Sequence, residues 1–162
     1  MSRARIPLDD LLPHRPPMLF IDSVSLPETA DESGQAWTTV KDDWVTLNAA
    51  GELQGPAFFE IMAQGFGAIG AVRAADEQGE QAEQERPKAG FLVGVKKFAC
   101  LNSARPGDEL RVSLGNSMSI GPFHVVDAFV HRGEELLASG QVKVFLAGAA
   151  EMDGLLGAMQ GA

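Results

Sequence analysis

Glu60 is the residue of this chain best placed to do chemistry. It lies in Phe58-Phe59-Glu60-Ile61-Met62-Ala63-Gln64, a carboxylate among large apolar side chains. An unpaired carboxylate in apolar surroundings is costly, and enzymes use that environment to prepare a general acid or base. Gln64 follows one helical turn later on the same face, where its amide is placed to orient the carboxylate. The plainer alternative puts Glu60 on a polar stripe facing solvent or a basic side chain. Only three histidines are present, His14, His124 and His131. Local context reads His14 as a structural residue at a helix end, His124 as a sheet residue and His131 as solvated beside a turn. None has a metal-ligand partner at useful spacing. The single cysteine, Cys100, can neither close an internal disulfide nor build a zinc site. No metal and no cofactor are expected.

A second group of candidates precedes Glu60. The run Thr46 to Pro56, TLNAAGELQGP, enters a helix through Gly51 and Gly55. Free N–H groups at a helix start can bind an oxyanion. Asn48, Glu52, Gln54 and Gly55 are near enough to line a site, although a simple helix cap explains the same residues. Lys96, Lys97, Arg105 and Arg111 form the only local basic cluster, either a solvated strand face or a dock for an acidic partner.

These residues need elements to hold them. The segment from about Pro56 to Asp76 is apolar nearly all round, so it predicts one long helix buried on most faces. Gly65, Gly67 and Gly70 each weaken it by about 1 kcal/mol, which close packing against a sheet would offset. Pro7–Leu12 predicts a short N-terminal helix. Strands are predicted over Met18–Leu26, Gln35–Val40, Lys88–Leu101, Gly107–Leu114, Phe123–Val130 and Leu136–Leu146, the last two joined by a hairpin turn at Gly133. In the last strand Ala138, Gly140, Val142 and Val144 share one face. Glu77–Pro87 reads as a solvated loop, and the segment from Ala147 as a loosely docked tail with an amphipathic turn at Leu155, Leu156 and Met159. One buried helix with about six strands predicts an α+β fold in which a sheet curls around the helix.

The chain has 162 residues, which suits one domain over residues 1–146 with a tail over 147–162. Thirteen Lys plus Arg against twenty-two Asp plus Glu give a net charge of −9, arguing against nucleic acid or an anionic membrane as partner. No stretch approaches the roughly 18 apolar residues of a membrane span, and Met1–Pro7 leads into no apolar run, so a cytoplasmic, reducing setting is expected.

Three motifs then carry a resemblance. Leu12-Pro13-His14-Arg15-x-Pro17-x-Leu19-x-x-Asp22-x-Val24 resembles the opening of the FabZ-type 3-hydroxyacyl-acyl carrier protein dehydratases. Glu60-Ile61-Met62-Ala63-Gln64 is similar to their E-x-M-A-Q, and Gly94-Val95 with Arg105-Pro106-Gly107-Asp108 to their G-I…P-G-D. The matches run in order from Leu12 to about Phe145. The resemblance implies the hotdog fold, a curved antiparallel β-sheet wrapped around one long α-helix, joined edge to edge into a homodimer or higher homo-oligomer.

It also implies a site at the dimer interface that takes an acyl thioester on acyl carrier protein or CoA. Glu60 takes the catalytic carboxylate role, the Gly94 N–H binds the thioester carbonyl, and Gln64 supports Glu60. The family histidine, fourteen residues before the carboxylate, is replaced by Thr46. His14 can supply the missing imidazole only if the N-terminal segment folds back over the site. The chain resembles a divergent, dehydratase-like branch with this same LPHRPPM opening, some of whose members serve fatty acid, aryl-polyene or other specialised lipid synthesis. Two other functions compete. LNAAGELQGPAFF is also similar to the N-x-x-G-x-x-H-G-G approach of small hotdog thioesterases, with Gln54 at the histidine position, Glu60 as base or nucleophile and Gly55 as oxyanion donor. A non-catalytic acyl-binding subunit completing a heterodimer with a hotdog partner is the third.

Overall fold

The structure is a computed structural model, which describes residues 5–8, 12–29, 33–53, 55–78 and 89–148, and positions 151, 153, 154, 157, 158 and 161. The element order is β1 (Ile6–Pro7), β2 (Ser23–Ser25), β3 (Gln35–Thr39), α1 (Gly55–Gln78), β4 (Ala89–Cys100), β5 (Glu109–Ile120), β6 (Phe123–Arg132) and β7 (Glu135–Ala147). The strands form one sheet in the order β1-β2-β3-β5-β6-β7-β4, and every neighbouring pair is antiparallel. β4 follows the helix yet among the described residues pairs only with β7, so it ends the described sheet. The helix touches all strands from β2 to β7. This is the hotdog arrangement expected from the sequence.

The helix forms where its apolar pattern predicts, but it is less enclosed than that pattern suggested. Phe58, Ile61, Met62, Gln64, Gly65, Ala68, Ile69 and Val72 make a buried stripe at helical spacing against the sheet. Phe59, Glu60, Ala63, Phe66 and Gly67 are half-buried on the other side. Of the three helix glycines, only Gly65 is required by close approach. A Cβ there would meet Val112 Cγ1 of β5 at 2.9 Å, whereas at Gly70 it would meet nothing within 4 Å.

The inner sheet face supplies the rest of the core. Ala138, Gly140, Val142 and Val144 of β7 are buried together, as their alternation predicts, and Gly140 lies against Met62. Gly133 has φ 57° and turns the β6–β7 hairpin. Two of the sequence expectations fail nearby. Ile6–Pro7 pairs with Val24 and Ser23 as a strand instead of opening a helix, because the β2 edge offers its backbone groups a ladder; residues 9–11 lie outside the described part. Of Met18–Leu26, only Ser23–Ser25 is strand. The rest is drawn onto the helix by the contacts described below. The helix also continues through Glu77 and Gln78, and the remainder of the Glu77–Pro87 segment lies outside the described residues.

Candidate active site

The N-terminal segment folds back across α1 and brings His14 to Glu60. His14 Nε2 lies 3.5 Å from Glu60 Oε1, with both side chains a little under a third exposed (28% and 30%). So Glu60 is neither sealed in apolar surroundings nor merely solvated; it meets an imidazole and remains open on one side. His14 Nδ1 is buried and has no hydrogen-bond partner among the described residues. Nε2 is thus the ring nitrogen turned toward Glu60. Residues 12–15 around His14 are not helical, and residues 9–11 lie outside the described residues. His14 sits in a bend held by Arg15, whose Nη1 donates to Leu12 O at 2.6 Å and to His14 O at 2.8 Å.

One side chain holds both partners. Gln64 is 2% exposed, the deepest polar residue beside the pair. Its Nε2 donates to Glu60 Oε1 at 2.9 Å and to Met18 O at 2.7 Å. Its Oε1 accepts from Phe20 N at 2.8 Å. A primary amide has two donors and an acceptor, and all are used here. Gln64 thus orients the carboxylate, as its spacing suggested, and also fastens the segment that carries His14. The backbone groups of Met18 and Phe20 were not legible as site components. The only hint was the presence of an amide inside an apolar helix. Phe20 is fully buried, and its ring meets Trp44 edge-on at 4.8 Å, anchoring the far side of the same segment.

The other expected residues lie on separate elements. Gly55 begins α1, and Phe98 of β4 approaches it to 4.0 Å of a Cβ position. Asn48 has its Oδ1 occupied by the N–H groups of Ala50 and Glu52, both at 2.9 Å, so its side chain shapes the loop before the helix. Gln54 lies outside the described residues. Gly94 sits where the β4–β7 register shifts, between Leu92 and Gly94, and the space at its Cα is open. Such a bulge takes backbone groups out of the ladder. Thr46, at the position of the family histidine, has a buried Oγ1 with no partner among the described residues.

The loop before the helix is tied to a second network. Leu53 N donates to Ala104 O at 2.8 Å, and Arg105 Nη2 pairs with Glu52 Oε1 at 2.7 Å. Asp108 Oδ2 accepts from Arg105 N at 2.9 Å and from Arg132 Nη1 at 2.7 Å. Burial pushes the Asp108 carboxyl upward, but the Arg105 N–H and the Arg132 guanidinium together hold it below the usual range. The Pro-Gly-Asp turn is thereby a strut beneath the loop that enters α1.

The basic cluster and His131 resolve differently from expectation, while His124 is where it was expected. Lys96 and Lys97 are on β4 and Arg111 on β5, with β6 and β7 between them, and Arg105 is engaged by Glu52. The four do not gather. His124 is a sheet residue, its Nδ1 2.9 Å from Ser119 Oγ and its ring 5.7 Å from Phe66. His131 is half-buried rather than solvated; burial first, and then neighbouring Arg111, push its imidazole below the ordinary value.

Comparison with known proteins agrees with this fold. The model of the ApeP-like family, described as ApeP dehydratase, matches residues 6–155. The chain is 27% identical to the uncharacterized protein YcsD of Bacillus subtilis (strain 168) over 135 residues, covering 83% of this chain and 95% of that protein. A chain of the dehydratase heterocomplex ApeI:P from Xenorhabdus doucetiae superposes with TM-score 0.76 at 21% identity, over 93% of this chain and 97% of that one. A hypothetical thioesterase with coenzyme A from Streptococcus pneumoniae TIGR4 superposes with TM-score 0.52 at 14% identity, over 77% and 86% of the two chains. These structural likenesses establish the shared fold. Because the family model matches almost the whole of this chain, the chain belongs to the ApeP-like dehydratase family.

Proposed function

We propose that Glu60 and His14 of one chain form the acid–base pair of a 3-hydroxyacyl-thioester dehydratase. The observation that carries this reading is the 3.5 Å approach of His14 Nε2 to Glu60 Oε1, fixed through Gln64. Dehydration removes a proton from Cα, forms the Cα–Cβ double bond and breaks the Cβ–O bond, the hydroxyl leaving as water once it gains a proton. Two proton positions are needed close together. Nε2 of His14 takes the Cα proton and Glu60 delivers one to the hydroxyl, so an imidazole from the N-terminal segment replaces the one absent at Thr46. The half-buried helix face of Phe59, Ala63 and Phe66 suits an acyl chain, and the bulge at Gly94 offers an N–H for the thioester carbonyl.

The substrate is an acyl thioester on a carrier protein or CoA, in fatty acid or polyene-type synthesis in the cytoplasm. The unit is a single hotdog domain over residues 1–146 that pairs through the free edge of β4. That edge is twelve residues long, with Phe91 and Val93 exposed on it, and an uncovered apolar edge of this kind invites another strand. The neighbour whose name records a heterocomplex supports a second hotdog subunit as the partner there, with a homodimer as the alternative.

Incubation with a 3-hydroxyacyl thioester and, separately, with a saturated acyl-CoA tests the activity, with and without a candidate partner subunit. Enoyl product is expected, lost in both Glu60→Gln and His14→Gln. Free thiol from the saturated substrate would replace this reading with a thioesterase in which Glu60 is the base. Activity unchanged in Glu60→Gln would overturn both. No product from either substrate would leave an acyl-binding subunit.

A further inference from the structure

The sheet face turned away from α1 carries an apolar platform whose side chains the catalytic reading does not use. Register aligns two rows across four strands. Ile120 of β5 lies opposite Phe123 of β6, which lies opposite Phe145 of β7, which lies opposite Phe91 of β4. The next row is Met118, Val125, Lys143 and Gly94. The rings of Phe123 and Phe145 are 5.2 Å apart and those of Phe91 and Phe145 6.4 Å. Met118 and Ile120 remain 57% and 65% exposed. Lys143 Nζ stands 4.7 Å over the Phe123 ring. Lys96 flanks the rows, and among the described residues neither lysine has a carboxylate partner. Asp127, beside them, is hydrogen-bonded by Gln141 at 3.1 Å.

Three strand spacings make the platform about 14 Å wide, and its two rows are roughly 7 Å apart. That is well below the roughly 800 Å² per partner of a stable interface, so it fits one helix better than a whole second face. Two bare platforms packed together would also bury Lys143 of each copy against apolar side chains.

The chain contains a segment with the complementary chemistry. Beyond Gly148, Met152, Leu155, Leu156 and Met159 recur at i, i+3, i+4 and i+7, with Glu151 and Asp153 beside them. The backbone is helical at Glu151, Asp153, Gly154, Gly157 and Ala158, and these five residues are exposed. A helical stretch of about ten residues from Glu151 would be about 15 Å long, enough to cross the four strands. It also starts at the platform, because β7 ends two residues after Phe145 and Leu146 N donates to Pro122 O beside Phe123.

We propose that this platform is the docking site for the C-terminal segment of a second copy, apolar stripe on the phenylalanine row and Glu151 and Asp153 toward Lys143 and Lys96. Because the segment leaves from beside the platform, a twofold axis there lets two copies exchange segments reciprocally and closes the assembly. The inference does not rest on the dehydratase reading, with which it shares Gly94, nor on the pairing of the β4 edge, with which it shares Phe91.

Disulfide trapping in the full-length chain tests it. In a Cys100→Ser background, one chain carries Met118→Cys and a second, distinguished by a tag, carries Leu156→Cys. Mild oxidation of the mixture is expected to give the mixed two-chain product. Lys143→Glu in the first chain should cut its yield at least fivefold, and Glu151→Lys with Asp153→Lys in the second should restore it. A mixed product no more abundant than that from a Val45→Cys control chain overturns the proposal. So does a chain carrying both cysteines that forms only the internal link at every concentration, since the segment then covers its own platform. Binding of the unmodified protein to zwitterionic vesicles that Phe123→Ser abolishes would assign the platform to lipid instead.

Discussion

Replacing Gln64 by leucine removes the side chain whose amide hydrogen-bonds the N-terminal segment to the helix. The side chains are similar in size, so packing is largely kept while three hydrogen bonds disappear. Of the partners left behind, the Phe20 N–H is buried, while the Met18 C=O belongs to an exposed residue. Leaving the buried N–H unpaired costs about 1–3 kcal/mol and losing each of the other two hydrogen bonds about 0.5–1.5 kcal/mol; the added apolar burial recovers part of this, so a net loss of about 2–3 kcal/mol is expected. For a chain of this size each kcal/mol lowers Tm by about 2–4 °C, giving a drop of roughly 4–12 °C. Thermal unfolding followed by circular dichroism measures it. Hydrogen exchange at the Phe20 amide localises it, because that amide should lose protection while the β6–β7 hairpin keeps its own. Activity should fall further than stability alone requires, since a displacement of about 1 Å in the His14–Glu60 pair can cost about 10²-fold in rate. Gln141→Leu is the control. Among the described residues its amide bonds only Asp127, on the outer face, and its loss should stay under about 1 kcal/mol. A Tm for Gln64→Leu within about 2 °C of the parent, with Phe20 still protected, would refute the claim that Gln64 fastens the segment.

The helix glycines should respond in opposite directions. Gly70→Ala, with open space at its Cβ position, should stabilise by up to about 1 kcal/mol in denaturant titration. Gly65→Ala should destabilise by about 1–2 kcal/mol net, because the new methyl meets Val112 at 2.9 Å. His131 should give a pH dependence below neutrality. Its folded pKa lies below 6.5, so as pH falls through 6.5 the unfolded chain takes a proton that the folded chain refuses. Stability should therefore decline below about pH 6.5 and level off once the folded pKa is passed, and unfolding curves of His131→Gln should lack that slope. Asp108 works in the acid range with the opposite partner. Its depressed carboxyl contributes stability that is present above its unfolded pKa and lost as pH falls through its folded one, so Asp108→Asn should flatten the acid limb of the same curves.

Periodicity alone placed the long helix, the four long strands and the inward face of β7, because burial on one face writes itself into residue spacing. It also singled out Glu60 and Gln64, since polar residues inside an apolar helix stand out against that spacing. What it could not place was His14. That residue is forty-six positions from Glu60 and lies in a segment with almost no regular structure, so no local pattern ties the two. Tertiary structure joined them through Gln64, whose amide satisfies a carboxylate and two backbone groups at once. The same limit explains the dispersed lysines and arginines and the half-buried His131. Nearness in sequence says little about nearness across a sheet whose strand order is not the chain order. A sequence records which surfaces must be buried; only the closed fold decides which polar groups are left facing one another.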